Sequence, residues 1–394
     1  METKVSKKKW LPLFLATPTI GIGILSNLNG TIIPLLVERI TSSTELLSII
    51  VAMGSVATIL GSYISGSISD RLHTKIGKRK PMIIISTIML MIGLYFLGTS
   101  NEYIEIFIFA TVVYFGLNFY SGTYYAWFPE AVSHDQIGTV NGWSKLFYNL
   151  GGIIIFGVGV TLINISPMLP LILTMIIILI FTISVLFGVK ENVEMEKKEE
   201  KIKLTLGFLK NKEAMKLFIG GAFATFNLGL FMAYWIPYFK RMNGFSSESI
   251  SYALTILSIV GLLGLFMGVL CDKFDKRKIL LLAIGIQIIG FAIGLFVTNL
   301  FMLYLFAAVF GAGFVMLMVS IFSMIPYICP RERIGEYMGV WSMFMGIGNL
   351  IANLVGGVII GGQFIGWLFP ICLIFLIIGF LIILLGRIKL HQFG

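Results

Sequence analysis

The chain has 394 residues, 57% of them hydrophobic and only 12% charged, with a mean hydropathy of +0.96. Soluble domains run near a quarter charged, so this composition excludes an ordinary water-soluble fold and points to a chain built for lipid. The net charge of +10 does not imply nucleic acid, because the basic residues are sorted by membrane side rather than gathered into a patch.

A helix that crosses a bilayer needs about 20 mainly apolar residues. Twelve windows meet that need, near 11–37, 44–68, 81–99, 104–127, 138–163, 168–189, 215–239, 247–271, 278–297, 300–324, 335–361 and 365–386. The first follows METKVSKKKW. It is longer than the about 7–15 residues of a signal-peptide core and no small-residue cleavage site closes it, so it is read as a retained span. It contains Asn27, Asn29 and Gly30. Spans 2 and 3 are joined by GSISDRLHTKIGKRKP (66–81), in which seven of sixteen residues are Asp, Arg, His or Lys. Span 4 carries Tyr114, Asn118, Ser121 and Tyr125 at i, i+4, i+7 and i+11, one helical face, and ends near Glu130. Span 5 holds Lys145, the single charge well inside a span, on a face with Asn141 and Asn149 and beside Tyr148. An intramembrane cation of this kind is a functional candidate: it can compensate an acid such as Glu130, bind an anionic substrate group, or snorkel to the headgroups.

The long polar connection comes next. Residues 190–216 carry eight Lys and six Glu with pairs three and four apart, a solvated linker that divides the spans six and six. The expected organisation is an N-terminal bundle over 1–189, a cytoplasmic linker over 190–214 and a C-terminal bundle over 215–394. Span 7 holds Asn227, Tyr234 and Trp235, and span 10 holds Ser320 and Ser323. Trp127 and Trp235 stand near span ends, where indoles commonly form an interfacial belt. Asn349 and Asn353 on span 11 read as interhelical glue. With a cytoplasmic N-terminus, inside segments hold 25 Lys and Arg against three outside (Arg39, Lys240, Arg241), which places both termini in the cytoplasm.

The two halves repeat. GSISDR (66–71) matches GVLCDK (268–273), and GKRK (77–80) matches KRK (276–278). FPEAVSHDQIGTVNG (128–142) matches IPYICPRERIGEYMG (325–339), with Pro, Ile-Gly and Gly in step. Duplicated six-span halves mark a parallel-repeat transporter with its site between them near mid-membrane.

The hairpin residues Gly66, Asp70, Arg71, Gly77, Lys78 and Arg79 fit the pattern Gly-x-x-x-Asp-(Arg/Lys)-x-Gly-x-(Arg/Lys) with a longer turn. On this motif and its repeat the chain resembles the Major Facilitator Superfamily across all twelve spans. The turn SDRLHTKIGKRKP is similar to that of sucrose-type proton symporters and glycoside–pentoside–hexuronide cation symporters. The resemblance implies an all-α membrane fold of two pseudo-symmetric six-helix bundles. It implies a gate at the hairpin, with Gly268, Asp272, Lys273 and Arg277 as the second copy. It also implies a cavity lined by spans 1, 4, 7 and 10. The cavity candidates are then Asn27, Asn29, Tyr114, Asn118, Tyr125, Asn227, Tyr234, Trp235, Ser320 and Ser323, a set of aromatic faces and neutral hydrogen-bonding groups suited to a sugar.

Cation-coupled relatives place acids in span 2, where this chain has Thr58 and Ser62; Tyr125 stands where the sucrose-type members have an Arg. Glu130, Lys145 and Glu38 at the outer end of span 1 are the coupling candidates, to H+ or Na+, and an uncoupled facilitator is equally consistent. His73, His134 and His391 form no metal-ligand spacing with one another or with Cys271, Cys329 and Cys372, no disulfide framework is suggested, and no phosphate-binding Gly-rich loop is present. The expectation is a secondary transporter in the plasma membrane, not an enzyme, with no cofactor or metal. Its partners are a small-molecule substrate and the lipid bilayer, not nucleic acid, and the chain acts as a monomer. The substrate is read as a sugar or glycoside. An exporter of lipophilic compounds is the alternative, given 33 Phe and 19 Met.

Overall fold

A computed structural model describes residues 10–72, 74–132, 136–189, 209–264, 274–329, 334–362, 364–386 and 388. Among them ten helices are long and apolar enough to cross a membrane, with two shorter apolar helices over Leu11–Ser26 and Ser247–Gly261. The apolar runs therefore become helices in the expected order, and the shortfall from twelve has local causes. The first span is interrupted: α1 (Leu11–Ala16), α2 (Thr19–Ser26), a 3-10 turn (Leu28–Gly30) and α3 (Ile32–Glu38) follow one another. Pro18 supplies no backbone N–H at the first break. At the second break, side chains take over the freed carbonyls: the Asn27 amide donates to Gly23 O (2.7 Å) and the Thr31 hydroxyl to Asn27 O (2.9 Å). Such substitution is what lets a broken helix persist in lipid. The other short helix, α12 (Ser247–Gly261), ends just ahead of residues outside the described set.

The remaining elements are α4 (Thr44–Arg71), α5 (Lys80–Thr99), α6 (Tyr103–Ala131), α7 (Ile137–Ile154), α8 (Val160–Ile165), α9 (Met168–Gly188), α10 (Lys212–Phe231), α11 (Trp235–Asn243), α13 (Lys276–Gly294), α14 (Leu300–Met324), α15 (Ile334–Gly361) and α16 (Leu368–Gly386). Side-chain caps start several of them: Asn211, Ser246 and Asn299 accept from the backbone N–H three residues on, and Glu102 with Glu105 forms a capping box. A π turn at Ile155–Gly159 joins α7 to α8, and a 3-10 turn at Met232–Tyr234 joins α10 to α11. Spans 1 and 7 are thus both broken near the same point of the internal repeat.

The chain divides into two compact units. The first comprises 1–43 and 53–198, and the second 44–52 and 199–394. In the first, α2 and α7 approach to backbone contact. A Cβ on Gly23 would overlap the Tyr148 carbonyl, and one on Gly151 would overlap the Ile20 carbonyl and crowd Ile24 N. Small residues permit this closeness, which the Thr19 hydroxyl reinforces by donating to Ser144 O (3.1 Å). The Tyr124 hydroxyl donates to Leu15 O, and Tyr120 and Thr182 share a 2.8 Å hydrogen bond, so α6 is tied to α1 and to α9. The second unit is centred on rings. Trp235 stacks on Phe306 (5.2 Å, 15°), and Phe231 meets Phe291, Phe306 and Phe369 edge-on at 5.1–5.5 Å.

Candidate functional site

The first unit encloses a cavity of about 390 Å³ between α2, α4, α6 and α7. The span 4 face delivers Tyr114, Asn118, Ser121 and Tyr125 into it together, with Leu117 between them. From α7 come Lys145 and Tyr148, from α2 Ile22, Leu25 and Ser26, and from α4 Gly54 and Thr58. The Gly23–Gly151 approach sets this geometry, because it brings the face of α7 that carries Lys145 and Tyr148 beside α2. Tyr125 is 38% exposed although it lies within a membrane span, and its ring lines the cavity while meeting Phe128 edge-on at 5.5 Å. Its hydroxyl lies by Ser144, and that of Tyr148 by Ser26. The Asn118 amide donates to Tyr114 O (2.9 Å) and the Thr58 hydroxyl to Gly54 O (2.9 Å). The lining therefore mixes aromatic rings, hydroxyls and an amide with the apolar Ile22, Leu25 and Leu117. Ser26 is hard to single out in the sequence, because an isolated hydroxyl in a span reads equally as a bond to its own helix.

Among the described residues that line the cavity, Lys145 is the one that is charged, and none is Asp or Glu. It does not meet Glu130. That carboxylate is engaged at the end of α6 by the hairpin: Arg79 Nη2 and Nε donate to its two oxygens at 2.6 and 3.1 Å, and Lys78 Nζ lies 3.0 Å from Oε1. Arg79 is 5% exposed and also donates to the Ser69 hydroxyl (3.0 Å), which in turn donates to Lys78 O (3.1 Å). Burial pushes the Glu130 carboxyl up, but the hydrogen bonds and charges of Arg79 and Lys78 outweigh it, and the net shift is down. Gly77 has φ = 110°, a left-handed conformation open to glycine, and accepts from the Thr74 hydroxyl (2.6 Å). The hairpin thus supplies Gly77, Lys78 and Arg79 as a built cluster around Glu130. Gly66, Asp70 and Arg71 lie in the last turns of α4, but their side chains are outside the described residues, as is that of Asn29. Gly268, Asp272 and Lys273 lie outside them altogether.

The other candidates are placed in packing rather than on the cavity. Asn27 bonds its own helix, as described above. Asn227 is fully buried and donates to Gln287 Oε1 (2.9 Å), pairing α10 with α13. The Tyr234 hydroxyl donates to the backbone carbonyl of Asn353, joining span 7 to α15. Trp235 is neither belt nor cavity wall: it is fully buried among Phe231, Phe239, Phe306 and Phe310. Trp127 is likewise buried rather than interfacial, at 1% exposure. Both indoles lie on the inward side of their helices, where ring packing outweighs the polar N–H. Ser320 and Ser323 donate to backbone carbonyls of α14, Met316 O and Ser320 O. In the second unit Arg277 donates to Ile383 O (3.3 Å) and Leu384 O (2.7 Å), and Lys276 sits 4.7 Å from the Tyr327 ring centroid.

A family model described as MFS/sugar transport protein matches residues 14–366. Among curated proteins, the enterobactin exporter EntS of Salmonella typhimurium is 25% identical over 172 residues, covering 42% of this chain and 41% of the exporter. The MFS-type transporter YdeE of Escherichia coli is 33% identical over 91 residues, 23% of each chain. The chain therefore spans well under half the length of these curated relatives. Among solved structures, nucleoside transporter NupG aligns with a TM-score of 0.73 at 16% identity over 95% of this chain and 98% of that one. A bacterial homologue of the lysosomal transporter Spinster, in an inward-facing and unoccupied conformation, aligns at 0.71 and 15% identity over 96% and 98%.

Proposed function

The chain belongs to the MFS/sugar transport family of the Major Facilitator Superfamily, and on that premise we propose that it carries a sugar or glycoside across the plasma membrane by alternating access. The membrane-transporter class follows from the family; the solute and the mode of movement are the proposal. The carrying observation is the cavity of the first unit, where three tyrosines, Asn118, Ser121 and Ser26 face a volume of sugar-like size. Rings cover the C–H faces of a pyranose while hydroxyls and an amide bond its oxygens. NupG, a nucleoside transporter of the same fold, handles a solute that contains a sugar ring.

In this reading the two six-span halves rock about the solute, and the Gly77–Lys78–Arg79 cluster with Glu130 belongs to the cytoplasmic gate together with Asp70. Glu130, held by two cations, is then a gate residue rather than an ion carrier. None of the described residues that line the cavity is an acid to bind Na+ or H+, which favours an uncoupled facilitator over a symporter. Counterflow in proteoliposomes tests the proposal: purified protein is loaded with a panel of neutral sugars and glycosides, with and without pH or Na+ gradients. Exchange of at least one sugar is expected, slowed about tenfold or more by Tyr125→Ala. Uptake or efflux confined to lipophilic compounds would replace the sugar reading with an exporter, as the similarity to EntS suggests.

A further inference from the structure

We propose that Lys145 is the anchor for a carboxylate on the transported solute, so that the cavity prefers a monoanionic polyol to a neutral one. The inference rests on the carrier reading above and adds the charge of its substrate. Lys145 lies within the membrane span Thr139–Ile165, is open to the cavity, and has no side-chain hydrogen bond or ion pair among the described residues. Six other described basic side chains meet an acid or a backbone carbonyl. Lys78 and Arg79 hold Glu130, Lys80 caps Leu186 O, Lys216 pairs with Glu213, Arg241 caps Ile360 O and Arg277 caps Leu384 O.

A lone ammonium at a span interior costs about 2.5–3.5 kcal/mol or more, and is retained where it meets a counter-charge or a water-filled path. No lining residue supplies the counter-charge. Topology does not require the cation either. In the internal repeat that aligns 128–142 with 325–339, the position of Lys145 is taken by Ser342 on α15. The charge belongs to one half of a duplicated fold, as a substrate-reading residue would.

Its surroundings select the anion. Tyr125, Tyr148, Ser121 and Ser26 line the same cavity as this single positive charge, and by turning from their present partners Ser144, Ser26 and Asn118 O their hydroxyls can donate to the lone pairs a carboxylate leaves after accepting from one ammonium. A phosphate monoester carries a charge of about −1.5 to −2 and would leave part of it uncompensated beside one lysine. The apolar side formed by Ile22, Leu25 and Leu117 offers no further charge. A solute with one carboxylate and neighbouring hydroxyls fits this set, and a lipophilic cation is repelled by it.

Matched probes test the assignment. Gluconate against sorbitol, and lactobionate against lactitol, differ at one carbon, carboxylate against hydroxymethyl. Equilibrium competition and thermal-shift titration in detergent are run on the wild type, Lys145→Met and Lys145→Arg. In at least one pair the acid is expected to bind about tenfold or more tightly than its alcohol. Lys145→Met should erase that preference, and Lys145→Arg should keep it, the arginine serving as the folded control should the methionine variant fail to fold. Equal affinity within both pairs, including no binding by either acid, overturns the anchor. So does a preference that survives in Lys145→Met. Sorbitol or lactitol bound and exchanged in preference to its acid removes the anchor while leaving the sugar carrier intact. Lys145-dependent acid binding without counterflow of any solute keeps the anchor and removes the carrier.

Discussion

Glu130 shows how far one residue's meaning depends on its partners. Near the end of a membrane helix, an acid is a candidate ion carrier; held by two nitrogens of a buried Arg79 and by Lys78, it is a structural anion. Removing it takes from Arg79 the carboxylate that accepts two of its hydrogen bonds. The cost should be about 2 kcal/mol, between the ~0.5 of an exposed pair and the ~4 of a buried one, because the carboxylate is 30% exposed. The pH dependence has a definite sign. A carboxyl whose folded pKa is held down contributes stability above its unfolded value, about 4.3, and loses it as pH falls through the lower folded value. Melting temperature followed from pH 8 to pH 3 in detergent should therefore be insensitive to this group above pH 5 and fall below it. Glu130→Gln should melt lower throughout the neutral range, and its difference from the wild type should shrink toward pH 3. A difference that widens in acid would contradict the assignment. The sequence made Glu130 and the Lys-Arg pair visible, but not their union. Joining residues 79 and 130 requires the packing of α5 against α6, which no local spacing encodes.

At the scale of elements, hydropathy locates the spans because lipid requires about 20 apolar residues in each. The face of span 4 was equally legible, since 3.6 residues per turn put Tyr114, Asn118, Ser121 and Tyr125 in line, and those four reach one cavity. The breaks were not. Asn27–Thr31 is as apolar around its edges as an intact helix, and what permits the break is Asn27 and Thr31 bonding freed carbonyls. Nor did composition distinguish the glycines. Gly151 meets backbone of α2, whereas a Cβ added to Gly285 on α13 would find nothing within 4 Å. The same substitution should therefore act with opposite sign. Gly285→Ala is expected to stabilise by up to about 1 kcal/mol through helix propensity. Gly151→Ala is expected to destabilise by about 1–3 kcal/mol as α2 and α7 are forced apart. Thermal melting of the two purified variants decides this, and a stabilised Gly151→Ala would mean that the helices have room to relax.

For the whole molecule, duplication preserved positions and exchanged chemistry. Leu186 O and Leu384 O end the sixth span of each half and are both capped by a cation from the third, Lys80 in one and Arg277 in the other. Lys78 and Lys276 are likewise equivalent, yet the first meets Glu130 and the second the ring of Tyr327. The aligned pair Glu130 and Tyr327 invites reciprocal exchange, and the two exchanges should not cost the same. Tyr327→Glu trades a cation–π contact for an ion pair at a half-exposed site, two terms of about 0.5–1 kcal/mol each, so its net effect should stay within about 1 kcal/mol of zero. Its neighbour Arg277 already donates to two backbone carbonyls and needs no carboxylate. Glu130→Tyr removes the carboxylate that accepts two hydrogen bonds from the buried Arg79. That variant should lose about 2 kcal/mol or more, as a buried cation that loses a doubly hydrogen-bonded counter-charge does. Denaturation of both variants in one detergent measures the asymmetry. Equal losses would mean that Lys78 and Lys276, rather than Arg79, set the energetics of the two hairpins.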